Sequence, residues 1–238
     1  MKILSIGNSF SQDAQRYLKG VAKDVDQDIK NVNLYIGGCS LVRHYNNMRS
    51  DIADYDYELG GASTDRKASI KEALLSDEWD VVTLQEVSAR SDNWYNFEPY
   101  LTELVKYVKS LCPNAKILLH ETWGYEGHTH RIRNQGYEAQ GEMFSAIEKA
   151  YQKALETCGA DGIIPGGKVL QILANRGYAV HRDGAHAGLG LGRYALALTW
   201  LKVLYGVAAT GNSFRTFDEP VSDEEMLAVQ SVVDEIEI

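Results

Sequence analysis

Residues 2–11, KILSIGNSFS, run as an apolar strand pattern into a glycine, an asparagine and two serines. Helical period follows at once in DAQRYLKGVAKDV, residues 13–25. A short strand that ends on small polar residues and passes straight into a helix is one βα unit. The unit recurs. Strand patterns fall at Lys2–Ile6, Asn33–Ile36, Asp80–Leu84, Lys116–His120 and Gly162–Ile164. DVVTL and KILLH are nearly continuous apolar runs, as strands buried on both faces require.

Helical stretches fill the intervals. STDRKASIKEALLS (63–76) precedes the third strand, and FEPYLTELVKYVKSLC (97–112) precedes the fourth with Glu98 and Pro99 at its start. A long helix from Gln140 to Cys158 precedes the fifth. GLGRYALALTWLKVLYG (190–206) and SDEEMLAVQSVVDEI (222–236) close the chain, the last opened by a capping box of Ser222 and Glu225. The segment 45–62, YNNMRSDIADYDYELGGA, breaks the alternation and reads as an excursion with a small hairpin near DYDYELGG. With no repeat and no linker, residues 1–238 are expected to form a single α/β domain, a three-layer α/β/α sandwich with about five parallel strands.

Composition narrows the function classes. A net charge of −9 argues against a nucleic-acid surface and gives no attraction to anionic membranes. No run approaches the ~20 apolar residues of a membrane span. Cys39, Cys112 and Cys158 are odd in number and far apart, so neither a disulfide framework nor a zinc ribbon is expected. The chain as it stands reads as cytoplasmic, and as secreted or periplasmic if a leader has been removed. Nothing specifies an oligomeric state.

In a doubly wound sheet, functional groups gather beyond the carboxyl ends of the strands. Those positions hold Gly7-Asn8-Ser9, Gly37-Gly38-Cys39-Ser40, Gln85-Glu86 and Glu121-Thr122-Trp123. A serine hydroxyl becomes a nucleophile when a base takes its proton and a carboxylate orients that base. Near the chain's end, DGAH places Asp183 and His186 three residues apart in a turn, a spacing that can set both on one side. Alone, such a pair is as readily a helix cap and a surface histidine. An oxyanion also needs donors, for which Gly38 offers an unshielded N–H and Gln85 a neutral carboxamide.

Ser9 in IGNSFS, Gly38 in YIGGCS, Gln85 in LQEVS and Asp183 with His186 in DGAH together resemble the SGNH hydrolases, the GDSL-type esterases, over nearly the whole chain. The resemblance implies a flavodoxin-like α/β/α fold and a serine esterase of small acyl, chiefly acetyl, esters, with carbohydrate esters as one substrate class. It implies Ser9 as nucleophile, His186 as base and Asp183 as its partner. The amides of Ser9 and Gly38 would hold the oxyanion with a side-chain amide. The family's asparagine block is absent here. LQEVS offers Gln85 in its place, similar to carbohydrate-acetylesterase branches, and Asn8 stands for the family's aspartate. No cofactor or metal is implied.

Three alternatives stand beside this reading. Ser11 is two residues past Ser9 and is expected to be the N-cap of a helix starting near Gln12. His120, Glu121, His128 and His130 in HETWGYEGHTH could ligate a metal, but a mobile polar loop is the simpler reading. A non-catalytic flavodoxin-like domain that binds carbohydrate would use the aromatic residues of the strand-end loops. Of these, Trp94 and Trp123 are the candidate sugar-stacking surfaces.

Overall fold

The computed structural model describes residues 1–237. Its sheet has seven strands: β1 (Lys2–Gly7), β2 (Lys30–Tyr35), β3 (Tyr55–Leu59), β4 (Lys67–Ala68), β5 (Val81–Leu84), β6 (Lys116–His120) and β7 (Gly162–Ile164), in the order β4-β3-β2-β1-β5-β6-β7. The five strands β2, β1, β5, β6 and β7 are parallel, and their order is that of a flavodoxin-like doubly wound sheet. The order reverses between β1 and β5, so the crevice beyond their carboxyl ends is the switch point where such folds place their sites. The three-layer α/β/α architecture expected from the alternation is the one observed.

The helices are α1 (Ser9–Gln15), α2 (Leu18–Lys23), α3 (Leu41–Ser50), α4 (Ile70–Leu75), α5 (Tyr100–Leu111), α6 (His130–Arg133), α7 (Gln140–Cys158), α8 (Gly166–Asn175), α9 (Leu191–Tyr205) and α10 (Asp223–Glu235). β1, β5 and β6 are buried along nearly their whole length. Fully burying each Ile, Leu or Val of these strands contributes about 1.5–3 kcal/mol. Among the described residues no helix is long and apolar enough to cross a membrane.

The structure corrects two local expectations. The first helical stretch is broken at Arg16–Tyr17 into α1 and α2, and Gly20 of α2 lies against the Phe214 ring, where a Cβ would sit 2.3 Å from it. Residues 63–68 are not helical. Lys67 and Ala68 pair antiparallel with Tyr55 and Asp56, and the helix begins only after Ser69, whose side chain accepts from Glu72 N–H while Glu72 Oε2 accepts from Ser69 N–H. Helix α8 opens on two glycines that serve close packing: a Cβ on Gly167 would lie 2.2 Å from the Thr122 carbonyl oxygen, and one on Gly166 2.9 Å from Leu196. The excursion at 45–62 supplies α3 and β3, and β3 extends the sheet by pairing antiparallel with β2.

Candidate active site

β1 ends at Gly7, and α1 starts two residues later with Ser9 in its first position. Glycine is required there because a Cβ would lie 2.2 Å from Ser11 Oγ and 3.3 Å from Gln85 Oε1. The N-cap is Asn8, not Ser11. Asn8 Oδ1 accepts from Phe10 N–H at 3.0 Å, while Ser11 occupies the third helical position and its Oγ accepts from Asn8 N–H at 3.1 Å. The Asn8 side chain also joins the strand ends: Nδ2 donates to the Cys39 carbonyl at 3.0 Å, and Oδ1 accepts from Gln85 Nε2 at 2.7 Å. An amide suits this position because it needs both a donor and an acceptor, which an ionised aspartate could not supply.

Beyond β2 the chain turns sharply, with Cys39 N–H donating to the Ile36 carbonyl at 3.1 Å. Gly38 sits in this turn at φ +62, a left-handed conformation that favours glycine, and its missing side chain would face open space. The N–H groups of Ser9 and Gly38 carry no hydrogen bond to another described residue. Gln85, just past β5, is buried. Its bond to Asn8 fixes the amide orientation and uses one of its two N–H donors.

Glu86 had no role in the sequence reading, although it directly follows Gln85. It is fully buried, and its Oε1 accepts from Leu41 N–H at 2.9 Å and Val87 N–H at 2.6 Å. Leu41 is the first residue of α3, so Glu86 ties the glycine turn to the end of β5. Burial pushes its carboxyl up to about 7, against the opposing pull of those two N–H groups and of Arg90.

The third part of the site arrives from the far end of the chain. His186 Nε2 lies 2.9 Å from Ser9 Oγ, and His186 Nδ1 lies 2.8 Å from Asp183 Oδ2. Asp183 Oδ1 accepts from the N–H groups of Ala185 (3.1 Å) and His186 (2.8 Å), the local reason that an Asp-x-x-His turn holds both side chains together. Partial burial alone would raise the Asp183 pKa. The backbone and imidazole N–H groups of His186 and the Ala185 N–H outweigh it and hold the carboxyl well below the usual carboxylate range. Asp183 is therefore an ionised acceptor, which places the imidazole proton on Nδ1 and leaves Nε2 to accept from the Ser9 hydroxyl. The imidazole is 27% exposed and the carboxylate 38%, so solvent reaches the group.

Two aromatic rings floor this turn. Phe10 stacks on Trp123 with centroids 3.8 Å apart and meets the His186 ring edge-on at 5.7 Å. Trp123 is fully buried, and its Nε1 donates to the Ala185 carbonyl at 2.8 Å. It has no face to offer a sugar, which corrects its reading as a substrate surface. Its chemistry goes into supporting the His186 turn. Trp94 is half-buried and stacks on Phe97, beside the 83% exposed ring of Tyr95.

The four histidine-loop residues do not come together as ligands. His120 is buried at the end of β6, where its Nδ1 accepts from Trp200 Nε1 at 3.2 Å and burial lowers its pKa to about 3. Glu121 accepts from Lys168 N–H at the start of α8. No cluster of His, Cys, Asp and Glu suited to a metal ion occurs among the described residues.

The family model described as "Domain of unknown function (DUF4886)" matches residues 2–233. A crystal structure of a DUF4886 family protein from Bacteroides uniformis superposes with a TM-score of 0.89 at 31% identity, covering 98% of this chain and 93% of that one. A Slackia heliotrinireducens protein assigned to the SGNH hydrolases superposes at 0.62, with 19% identity over 86% of this chain and 98% of that one. A family 3 carbohydrate esterase from Clostridium thermocellum gives 0.51, with 15% identity over 85% and 94%. No curated protein matches. The chain belongs to the DUF4886 family, and its fold is that of the SGNH hydrolases.

Proposed function

We propose that the protein is a serine hydrolase of small acyl esters, acetyl esters of carbohydrates foremost. The observation that carries the reading is the hydrogen-bonded series from Ser9 Oγ through His186 to Asp183, at 2.9 and 2.8 Å, beyond the carboxyl ends of the central strands. Ser9 Oγ attacks the ester carbonyl carbon while His186 Nε2 takes its proton. Asp183 accepts from Nδ1–H and stabilises the imidazolium. The C–O bond to the alcohol then breaks, and the alkoxide leaves with the proton from Nε2. Water, deprotonated by the same nitrogen, attacks the acyl-enzyme and releases the acid and Ser9. As written, the mechanism uses no metal or organic cofactor.

Charge developing on the carbonyl oxygen is met by the N–H groups of Ser9 and Gly38, and by the second N–H of Gln85. Support for the backbone pair comes from the lack of any other partner for these N–H groups among the described residues. Asn8 brings them together by bonding to Cys39 beside Gly38. The start of α1 adds its positive dipole end at Ser9. The carbohydrate preference draws on the likeness to the family 3 carbohydrate esterase and on Trp94, whose partly open ring stands on the loop after β5.

The test is a panel of acetylated mono- and oligosaccharides against p-nitrophenyl esters of increasing acyl length, with wild type and Ser9→Ala. Turnover of acetyl esters that vanishes in Ser9→Ala supports the reading. Saccharide binding by both proteins without turnover by either would make this a binding domain.

A further inference from the structure

Ser9 and Asp13 are four residues apart on α1 and so share one face of it. Ser9 meets His186. Asp13, a fully buried carboxylate, meets Arg182, the residue immediately before Asp183. Both Asp13 oxygens accept from Arg182 Nη1 at 2.9 Å, and the same Nη1 donates to the Ala187 carbonyl at 2.5 Å. Arg182 N–H donates to the His186 carbonyl at 3.0 Å, and His181 and Ala187 pair as an antiparallel bridge. One guanidinium therefore holds both ends of the short turn that carries Asp183 and His186 and fastens it to the helix that carries Ser9.

Asp13 hydrogen-bonds neither Ser9 Oγ nor the Asp183 and His186 side chains, so it acts through geometry. Stability is a poor reason for a buried ion pair, because apolar packing of similar volume is often as good. A single charged nitrogen that reaches a carboxylate and a carbonyl at once fixes distances in a way apolar contact cannot. Arg193 Nε also donates to Asp13 at 2.9 Å, but its other partner is Asp218, which Arg16 grips as well. That outer branch does not reach the turn.

We propose that Asp13 and Arg182 form a positioning pair that clamps the Asp183–His186 turn onto the Ser9 helix and thereby sets the Ser9–His186 distance. The proposal rests on the hydrolase reading for its effect on rate. Misplacing reacting groups by about 1 Å can cost about 10²-fold, so Arg182→Met is expected to lower kcat on p-nitrophenyl acetate about that much, with KM within about twofold. Arg182→Lys keeps a charged nitrogen but on a shorter, more flexible stem, and should recover part of the loss. Arg16→Met, cut from the outer branch, should retain the wild-type kcat.

A second readout is the downfield proton NMR signal of His186 Nδ1–H, assigned by its absence in His186→Ala. It should be sharp in wild type and in Arg16→Met, and broadened or lost in Arg182→Met. A folded Arg182→Met with wild-type kcat and an unchanged signal would overturn the proposal. So would a loss that Arg16→Met reproduces. If Arg182→Met does not fold, Arg182→Lys decides: a lowered kcat at an unchanged melting midpoint supports the clamp, and a wild-type kcat rejects it. If Ser9→Ala keeps the wild-type rate, the hydrolase reading fails instead, and the Nδ1–H signal alone judges the clamp.

Discussion

Replacing Glu86 with glutamine isolates the cost of burying a charge behind the glycine turn. Glutamine keeps an oxygen to accept from Leu41 and Val87 N–H, so the turn stays tied to β5 while the titration is removed. An unfolded glutamate titrates near 4.5, and Glu86 in the folded protein at about 7, raised by burial. Between those values the folded protein holds a proton that the unfolded chain has lost. Stability from this group therefore falls as pH rises through that window and levels off above it. The gap corresponds to about 3 kcal/mol.

Glu86→Gln does not incur this loss, so its stability relative to wild type should rise by about 3 kcal/mol between pH 4.5 and pH 8. For a chain of this length that is a relative gain in melting midpoint of about 6–12 °C. Every other titrating group is common to both proteins and cancels in the difference. The assay is a pair of thermal or denaturant melts at half-unit pH steps. A difference that stays constant across pH would refute the buried, raised carboxyl, and one that grows toward acid would reverse its sign. Glu86→Ala is a different perturbation. It frees Leu41 N–H and should lower kcat through the glycine turn.

Other substitutions separate structural from chemical roles. Asp183→Asn should fold normally, because its remaining oxygen can still accept backbone N–H groups. Steady-state hydrolysis of p-nitrophenyl acetate should nevertheless fall about 10⁴-fold, as the imidazole loses its orienting carboxylate. Gln85→Ala removes the proposed side-chain oxyanion donor and should cost about 10²-fold in kcat, and a rate within twofold of wild type would leave Gln85 only the role of fixing Asn8. Trp123→Ala should destabilise by about 3–5 kcal/mol in denaturant melts, whereas a sugar platform would change KM without that loss. Gly167→Ala, whose Cβ would sit 2.2 Å from the Thr122 carbonyl, should cost more than the ~1–3 kcal/mol usual for overpacking.

What could be read from the sequence was what is local. KILSIG, DVVTL and KILLH declare themselves as strands by continuous apolar runs, and β6 and β7 have the expected bounds. The Asp183–His186 turn was legible because its three-residue spacing is enough for Asp183 to bond the backbone N–H groups that set it. Ser69 and Glu72 carried a capping signal that outranks the helical composition of 63–68, and weighing it first would have placed the start of α4 correctly. Gly166 and Gly167 gave no signal of their own, because what requires them, Leu196 and the Thr122 carbonyl, lies some 30 and 45 residues away. Glu86 and Asp13 were silent for the same reason. Their partners, Leu41 and Arg182, are neighbours only in the folded chain. Trp123 shows the converse error: an aromatic after a strand looks like a surface until the ring that covers it, Phe10, is known.

Ser9 as nucleophile is tested most directly by labelling the protein with a fluorophosphonate and mapping the adduct by mass spectrometry. One adduct on Ser9 is predicted, formed far more slowly in His186→Ala, together with loss of p-nitrophenyl acetate hydrolysis in Ser9→Ala. An adduct on another residue, or undiminished hydrolysis by Ser9→Ala, would contradict it.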